Sequence, residues 1–322
     1  MATTSTPSSP PASSVARDLS LAAAGVTVLL WASAFVGIRA VGDTFSPGPL
    51  ALGRLLVGGV ALSVFVAWAR LRPGGVPAPL PRGRALVFIV GYGVLWFGGY
   101  NVALNAGELH VDAGTAALLV QTGPILIAVL AGLFMGEGFP RTLVIGIAIA
   151  FCGVALISVG TSSSDAPATS LTGVLLCLLA AVLYAAGVLL QKPALRSTSA
   201  IQATWLGCLI GAVACLPYAP GLVRELSGSS NAAIAGLVYL GLFPTALAFT
   251  TWAYALSRIG AGKASATTYL VPAVATLMSW GALGETPTML GLAGGAICLI
   301  GVAVTRLRSQ SSKSPTTSRK IA

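Results

Sequence analysis

GTAALLVQTGPILIAVLAGLFMGE, Gly114 to Glu137, returns later in the chain as GKASATTYLVPAVATLMSWGALGE, Gly262 to Glu285. Gly114 and Gly262, Pro124 and Pro272, the Gly-Glu pairs closing at Glu137 and Glu285, and the runs Gly153-Val-Ala and Gly301-Val-Ala all stand 148 residues apart. An internal repeat decides the fold before any single motif does. Each copy places a proline midway along an apolar run long enough to cross a bilayer. Such a proline donates no N–H and presses on the carbonyl four residues earlier, at Val120 and Thr268, so the pattern predicts a kink in each helix. An unpaired carbonyl is costly in lipid, which puts the kinks against protein or a water-filled cavity.

Composition names the solvent. Hydrophobic residues make up 56% of the 322-residue chain and charged residues only 8%, with mean hydropathy +0.89. Soluble domains are about 25% charged. A span needs roughly 20 apolar residues to cross about 30 Å of hydrocarbon. Ten segments qualify, at 19–40, 47–68, 85–105, 113–134, 140–160, 170–190, 200–219, 231–253, 262–283 and 289–306. The expectation is an all-α polytopic membrane protein with ten transmembrane helices.

The net charge of +10 is explained by topology rather than by nucleic acid. With ten spans, Arg39 and Arg224 fall on one side and Arg54 inside a span, leaving 15 of the 18 Lys and Arg on the other side. The positive-inside rule makes that side cytoplasmic and puts both termini there, in a plasma (inner) membrane. Arg17, the apolar stretch after it and Ala32-Ser33-Ala34 imitate a signal peptide. Cleavage would leave nine spans and spoil both repeat and charge bias, so the stretch reads as the first transmembrane helix. The loop RLRPGGVPAPLPRGR after the second span is basic; it reads as a solvated cytoplasmic loop or a contact for anionic lipid.

The repeat extends upstream. WASAFVGIR (Trp31 to Arg39) aligns with YAAGVLLQK (Tyr184 to Lys192) at an offset of 153, and Ala103-Leu104 with Ala255-Leu256 at 152. The expected organisation is a disordered cytoplasmic tail (1–17), a first repeat (18–160), a second repeat (161–308) and a disordered cytoplasmic tail (309–322). Five spans per half is odd, so the halves are inverted relative to each other, a pattern typical of transporters with a midplane site.

Polar side chains inside spans are candidates for function, because desolvating them is costly. Gln121 lies beside Pro124, and Thr267, Thr268 and Tyr269 lie beside Pro272. Trp31 and Tyr184 are paired by the repeat. All these could meet in a central substrate pocket, or the hydroxyls could bond back to their own helices. Tyr100 and Asn101, late in span three, join the candidates. Arg54, seven residues into span two, offers a fixed guanidinium for a carboxylate or phosphate, or snorkels toward headgroups. Pro124 and Pro272 are the candidate gating kinks.

Other chemistries are poorly supplied. The eight acidic residues avoid mid-membrane; Glu108, His110 and Asp112 cluster in the connector after span three, which reads as solvated. The lone histidine could titrate there, but the sequence does not establish proton coupling. The five cysteines lie inside spans without a C-x-x-C pair and read as packing residues, not a metal site or disulfide framework. No G-x-S-x-G, H-E-x-x-H or P-loop appears, so neither catalytic residues nor a cofactor are expected. Gly291-x-x-x-Gly295 could serve a homodimer or packing within one chain.

The Trp31 segment, Arg54, the A-A-L-L-x(4)-P-x(12)-E pattern from Ala116 through Pro124 to Glu137, the closing Gly153-Val-Ala-Leu, and the second-half versions at Pro272, Glu285 and Gly301 resemble EamA-type members of the drug/metabolite transporter superfamily. The resemblance covers residues 21 to 306. It implies ten helices in two inverted five-helix repeats, a central cavity, and movement of small metabolites, often efflux of amino acids or drugs. The longer, acidic connector between spans three and four departs from the family pattern. The expected partners are a small-molecule substrate and membrane lipid, and the alternatives are a non-transporting sensor or scaffold, or a passive channel.

Overall fold

The computed structural model describes residues 12–72, 80–123, 125–126, 141, 144–146, 148–149, 152–153, 156, 170–258 and 267–306. Among these the regular structure is helical throughout. The elements are α1 (Ala12–Val41), α2 (Pro47–Leu71), α3 (Arg84–Gly107), α4 (Ala113–Val120), α5 (Leu171–Ala194), α6 (Ala200–Ala214), α7 (Ala219–Gly228), α8 (Asn231–Arg258), α9 (Leu270–Leu283) and α10 (Met289–Arg306). Their starts follow local chemistry. Asp112, Ser170, Ser199 and Ser230 precede α4, α5, α6 and α8, and each side chain accepts a first-turn amide that has no partner inside the helix.

Among the described residues, five helices are long and apolar enough to cross a membrane: Leu19–Val41, Pro47–Leu71, Arg84–Gly107, Leu171–Ala194 and Asn231–Arg258. A sixth span forms if α6 and the Leu216–Gly228 segment, bent by 55°, are taken as one. The helix expected over 200–219 therefore ends at Ala214, and Pro217 opens a short 3-10 turn in its place. The last two expected spans appear as shorter apolar helices, α9 and α10. The span expected at 113–134 is described only to residue 126, where it begins as α4, and that at 140–160 only in part; Pro124 and Glu137 lie outside the described residues.

Two features were not in the sequence reading. α3 contains a π-helical stretch at Gly93–Tyr100, and α8 contains one at Gly241–Leu247. Each widens a long helix at mid-length and frees carbonyls from the i→i−4 ladder. Side chains repair the damage. Asn101 Nδ2 donates to the carbonyls of Phe97 at 2.7 Å and Trp96 at 3.5 Å. In α8, Pro244 has no N–H for Leu240, and Thr245 Oγ1 donates to that carbonyl instead, at 2.7 Å. Close approach requires glycine here: a Cβ on Gly58 would stand 2.9 Å from the Gly241 carbonyl.

α1 packs on α8 and α9, α2 on α6 and the π stretch of α8, α3 on α5 and α6, and α4 on α5 and α9. The ends sort by charge. Arg70 and Arg72 at the end of α2 lie over the rings of Trp205 and Trp68, and Arg258 at the end of α8 over Tyr254. Aromatic and basic residues together mark a membrane interface. At the other end meet the last turns of α1 and α3, the starts of α4 and α5, and Glu285 just beyond α9.

Candidate functional site

The described parts of the two repeated stretches lie against each other and run antiparallel. At one end the Ala113 amide donates to Glu285 at 3.3 Å; at the other, Gln121 Nε2 donates to Thr268 Oγ1 at 3.1 Å. Between them, Thr276 packs so closely on Gly114 that a Cβ there would stand 2.6 Å from the Thr276 hydroxyl oxygen.

The expected proline kinks take a different form. α9 begins at Leu270, so Pro272 sits in its first turn, where a missing N–H costs nothing and the fixed φ favours the helix. The interruption falls just before the proline, at Thr268-Tyr269, where the Val271 amide returns to the Thr268 carbonyl at 3.0 Å. The first copy breaks likewise: α4 stops at Val120, and Thr122 bonds three residues back to Leu119 at 3.1 Å. Pro124 itself lies outside the described residues. Each repeat thus contributes a broken helix, and the two breaks face each other.

A cavity lies where they meet. Val120 and Gln121 from the first break and Thr268 and Val271 from the second line it, with Ala34, Phe35, Arg54 and Leu104. Besides Phe35, the remaining wall is aromatic too: Trp31, Trp96, Tyr100, Tyr184 and Phe249. Trp31 and Tyr184, expected as a pair, are joined through Trp96, whose ring lies 6.2 Å from the first and 5.1 Å from the second. Phe249 closes the group at 5.5 Å from Trp31 and 5.0 Å from Trp96. Gly187 makes room for this wall, since a Cβ there would stand 2.5 Å from that of Trp96.

Arg54 does not snorkel: it is 3% exposed and lines the cavity. Its Nε donates to Thr245 Oγ1 at 3.0 Å, and that hydroxyl spends its own proton on the Leu240 carbonyl freed by Pro244. The π stretch therefore serves as the clamp that orients the guanidinium. Trp31 Nε1 is buried and has no hydrogen-bond partner among the described residues. The cavity offers hydrogen-bond donors within an aromatic and aliphatic wall, which suits a molecule with one anionic or acceptor end and an apolar body.

Of the residues singled out from sequence, Trp31, Arg54, Tyr100, Gln121, Tyr184 and Thr268 line the cavity. Asn101 serves the π stretch of α3, and Thr267 and Tyr269 flank Thr268 in the break without joining the lining. Trp96 and Phe249 were missed, although Trp96, in a glycine-rich run, was a visible signal. The acidic connector is not simply solvated: Glu108 is 1% exposed. Asp112 caps α4, taking the Thr115 amide at 2.8 Å. Glu285 holds Arg39 at 2.8 Å and accepts from Ser279. Gly295 lies against Leu118 of the same chain.

The family model described as the EamA-like transporter family matches twice, over residues 19–159 and 171–307. The transporter YdfC of Bacillus subtilis is 38% identical over 279 residues, 87% of this chain and 88% of that protein. A probable terminal-alkyne amino-acid exporter of Streptantibioticus cattleyicolor is 36% identical over 284 residues, covering 88% and 92%. A solved crystal structure, 19% identical, shares the fold with a TM-score of 0.61 over 90% of this chain. Two family-length matches, each containing one of the two broken helices, account for the repeat, and the chain is a member of the EamA-like transporter family.

Proposed function

We propose that the protein exports a small amphipathic metabolite, an amino acid or a related carboxylate, by alternating access. The halves, five spans each and inverted, rock about the cavity between the two helix breaks. The protein sits in the inner membrane with both termini in the cytoplasm. The observation that carries this reading is the cavity itself, where a clamped guanidinium stands among six aromatic rings between antiparallel repeat stretches. A substrate carboxylate would take the Arg54 N–H groups and its side chain would lie on Trp31, Trp96 and Tyr184. The efflux direction draws support from the exporter relative.

The test is counterflow in proteoliposomes, preceded by a screen of metabolites exported from an overexpressing strain. A carrier accelerates uptake of labelled substrate when unlabelled substrate is loaded inside; an uncoupled pore does not, and that result would sink alternating access. Arg54→Gln should impair carboxylate substrates and spare neutral analogues. Equal loss of both would reduce Arg54 to a structural role.

A further inference from the structure

Glu108 caps α3 just past the span that closes at Gly107, one turn beyond the cavity-lining Leu104. Neither of its carboxylate oxygens has a hydrogen-bond partner among the described residues. A buried polar atom without a partner calls for a physical reason. An ionised carboxylate deprived of both water and hydrogen bonds costs several kcal/mol, and taking up a proton removes most of that cost.

The charges around it decide which form holds. The charged and titratable groups whose fields reach it are Arg54 of α2, Arg39 of α1, Glu285 beyond α9, Asp112 of the connector, Tyr100 of its own helix and Cys177 of α5. His110 follows two residues on. Arg39 gives one N–H to the Glu108 backbone carbonyl at 3.0 Å, and its Nε is committed to Glu285. Arg54 and Arg39 are the two cations that favour its ionised form. Burial pushes this carboxyl well above the usual carboxylate range, and Arg54 works in the opposite direction. The same guanidinium lines the cavity.

We propose that Glu108 is a proton-binding site linked through Arg54 to the charge of whatever occupies the cavity. A carboxylate that pairs with Arg54 offsets the field that opposes protonation of Glu108, so at a pH where Glu108 is still ionised one proton from the aqueous phase joins a Glu108 oxygen as the anion enters. The identity of the occupant rests on the carboxylate reading given above; the Arg54–Glu108 linkage rests on the buried, unpartnered Glu108 carboxyl and on the packing of α2 against the last turns of α3, where Asn105 Nδ2 donates to the Pro47 carbonyl at 3.0 Å and Arg54 and Leu104 line the same cavity. Affinity for a carboxylate then rises as pH falls, approaching about tenfold per pH unit at full linkage.

The experiment is an infrared pH titration of the full-length protein carrying carbon-13 glutamate, with and without phenylpropionate. A protonated glutamate band should persist to higher pH than solvent-exposed carboxyls, vanish in Glu108→Gln, and lose its isotope shift in Glu108→Asp. Its midpoint should move to higher pH in Arg54→Gln and, in wild type, on adding phenylpropionate. Arg54→Leu, which leaves no stranded donor, is the second variant should Arg54→Gln fail to give monodisperse protein. A wild-type spectrum matching Glu108→Gln at every pH overturns the site, and a midpoint unmoved by loss of Arg54 overturns the linkage. Failure of phenylpropionate to bind wild type overturns the carboxylate reading of the cavity instead, because the Arg54 comparison needs no ligand.

Discussion

Gln121 and Thr268 come from opposite halves of the chain, yet the amide of one donates to the hydroxyl of the other across 3.1 Å. They stand at the two helix breaks, one residue out of register with the 148-residue repeat. The bond therefore ties together the parts of the two repeats that would have to shift as the cavity changes sides. Gln121→Ala and Thr268→Ala should each reduce counterflow, and the double variant should cost less than the sum. The coupling, measured from thermal unfolding in detergent, should be about 0.5–1.5 kcal/mol for one buried neutral hydrogen bond. Additive losses would mean the bond carries no energy.

Thr245 tests the clamp on Arg54. Its hydroxyl accepts from Arg54 Nε and donates to the Leu240 carbonyl, and both partners are buried. Thr245→Val keeps the shape and strands a guanidinium N–H and a carbonyl. The expected loss is about 1–3 kcal/mol of stability. The half-saturating concentration of a carboxylate substrate should rise more than the maximal rate falls. Thr245→Ser should restore both.

Trp31 separates stacking from hydrogen bonding. Its ring contacts Trp96, Phe249 and Trp252, while its Nε1 donor is buried without a partner among the described residues. Trp31→Phe retains an aromatic wall and removes the donor; Trp31→Ala removes both. If a substrate oxygen takes that N–H, Trp31→Phe should weaken substrate binding about 2- to 13-fold, the worth of one hydrogen bond of 0.5–1.5 kcal/mol. Trp31→Ala should weaken it further. Equal affinity in Trp31→Phe and wild type, read from competition of labelled substrate, would assign the residue to packing alone.

The sequence revealed the repeat and the polar residues beside its prolines because a bilayer imposes strong rules on composition and on charge placement. It also brought Gln121, Thr268 and Trp31 together as a candidate pocket, since a buried polar residue in a span has few other places to go, but it left Arg54 between an anion contact and snorkelling. It misled where backbone geometry decides. A proline reads as a kink in a continuous helix, but Pro272 opens a new segment because the first turn tolerates it best. The π stretches left only faint marks, glycines around Trp96 and a proline at 244, and the one in α8 is what clamps Arg54. Glu108 looked like a loop residue because neighbours in sequence are polar; its cover comes from elements far along the chain.

Gly284 links a backbone requirement to the Gly-Glu landmark of the repeat. Its φ of +69° ends α9 in the left-handed region, and the chain then turns so that Glu285 reaches Arg39, Ser279 and the Ala113 amide. A side chain at position 284 strains that turn by about 1 kcal/mol. Gly284→Ala should lower the unfolding temperature, and part of its cost should disappear in an Arg39→Gln background, where Glu285 has lost its ion pair. Full additivity of the two would show that the turn and the ion pair are independent.

Glu108 also sets a direction for stability against pH. Its folded-state carboxyl holds a proton over a range where the unfolded chain has lost it, because burial raises the folded value. Unfolding then releases a proton, so this group's contribution is fully present below the ordinary glutamate range and is lost as pH rises above it. The slope can reach about 1.4 kcal/mol per pH unit, the limit for one proton. Glu108→Gln copies the protonated form, so it should match wild type at acidic pH and become the more stable protein as pH rises. His110→Gln should leave that crossover in place, which separates Glu108 from the one histidine nearby. Parallel stability curves for wild type and Glu108→Gln would mean that Glu108 titrates as an ordinary carboxylate.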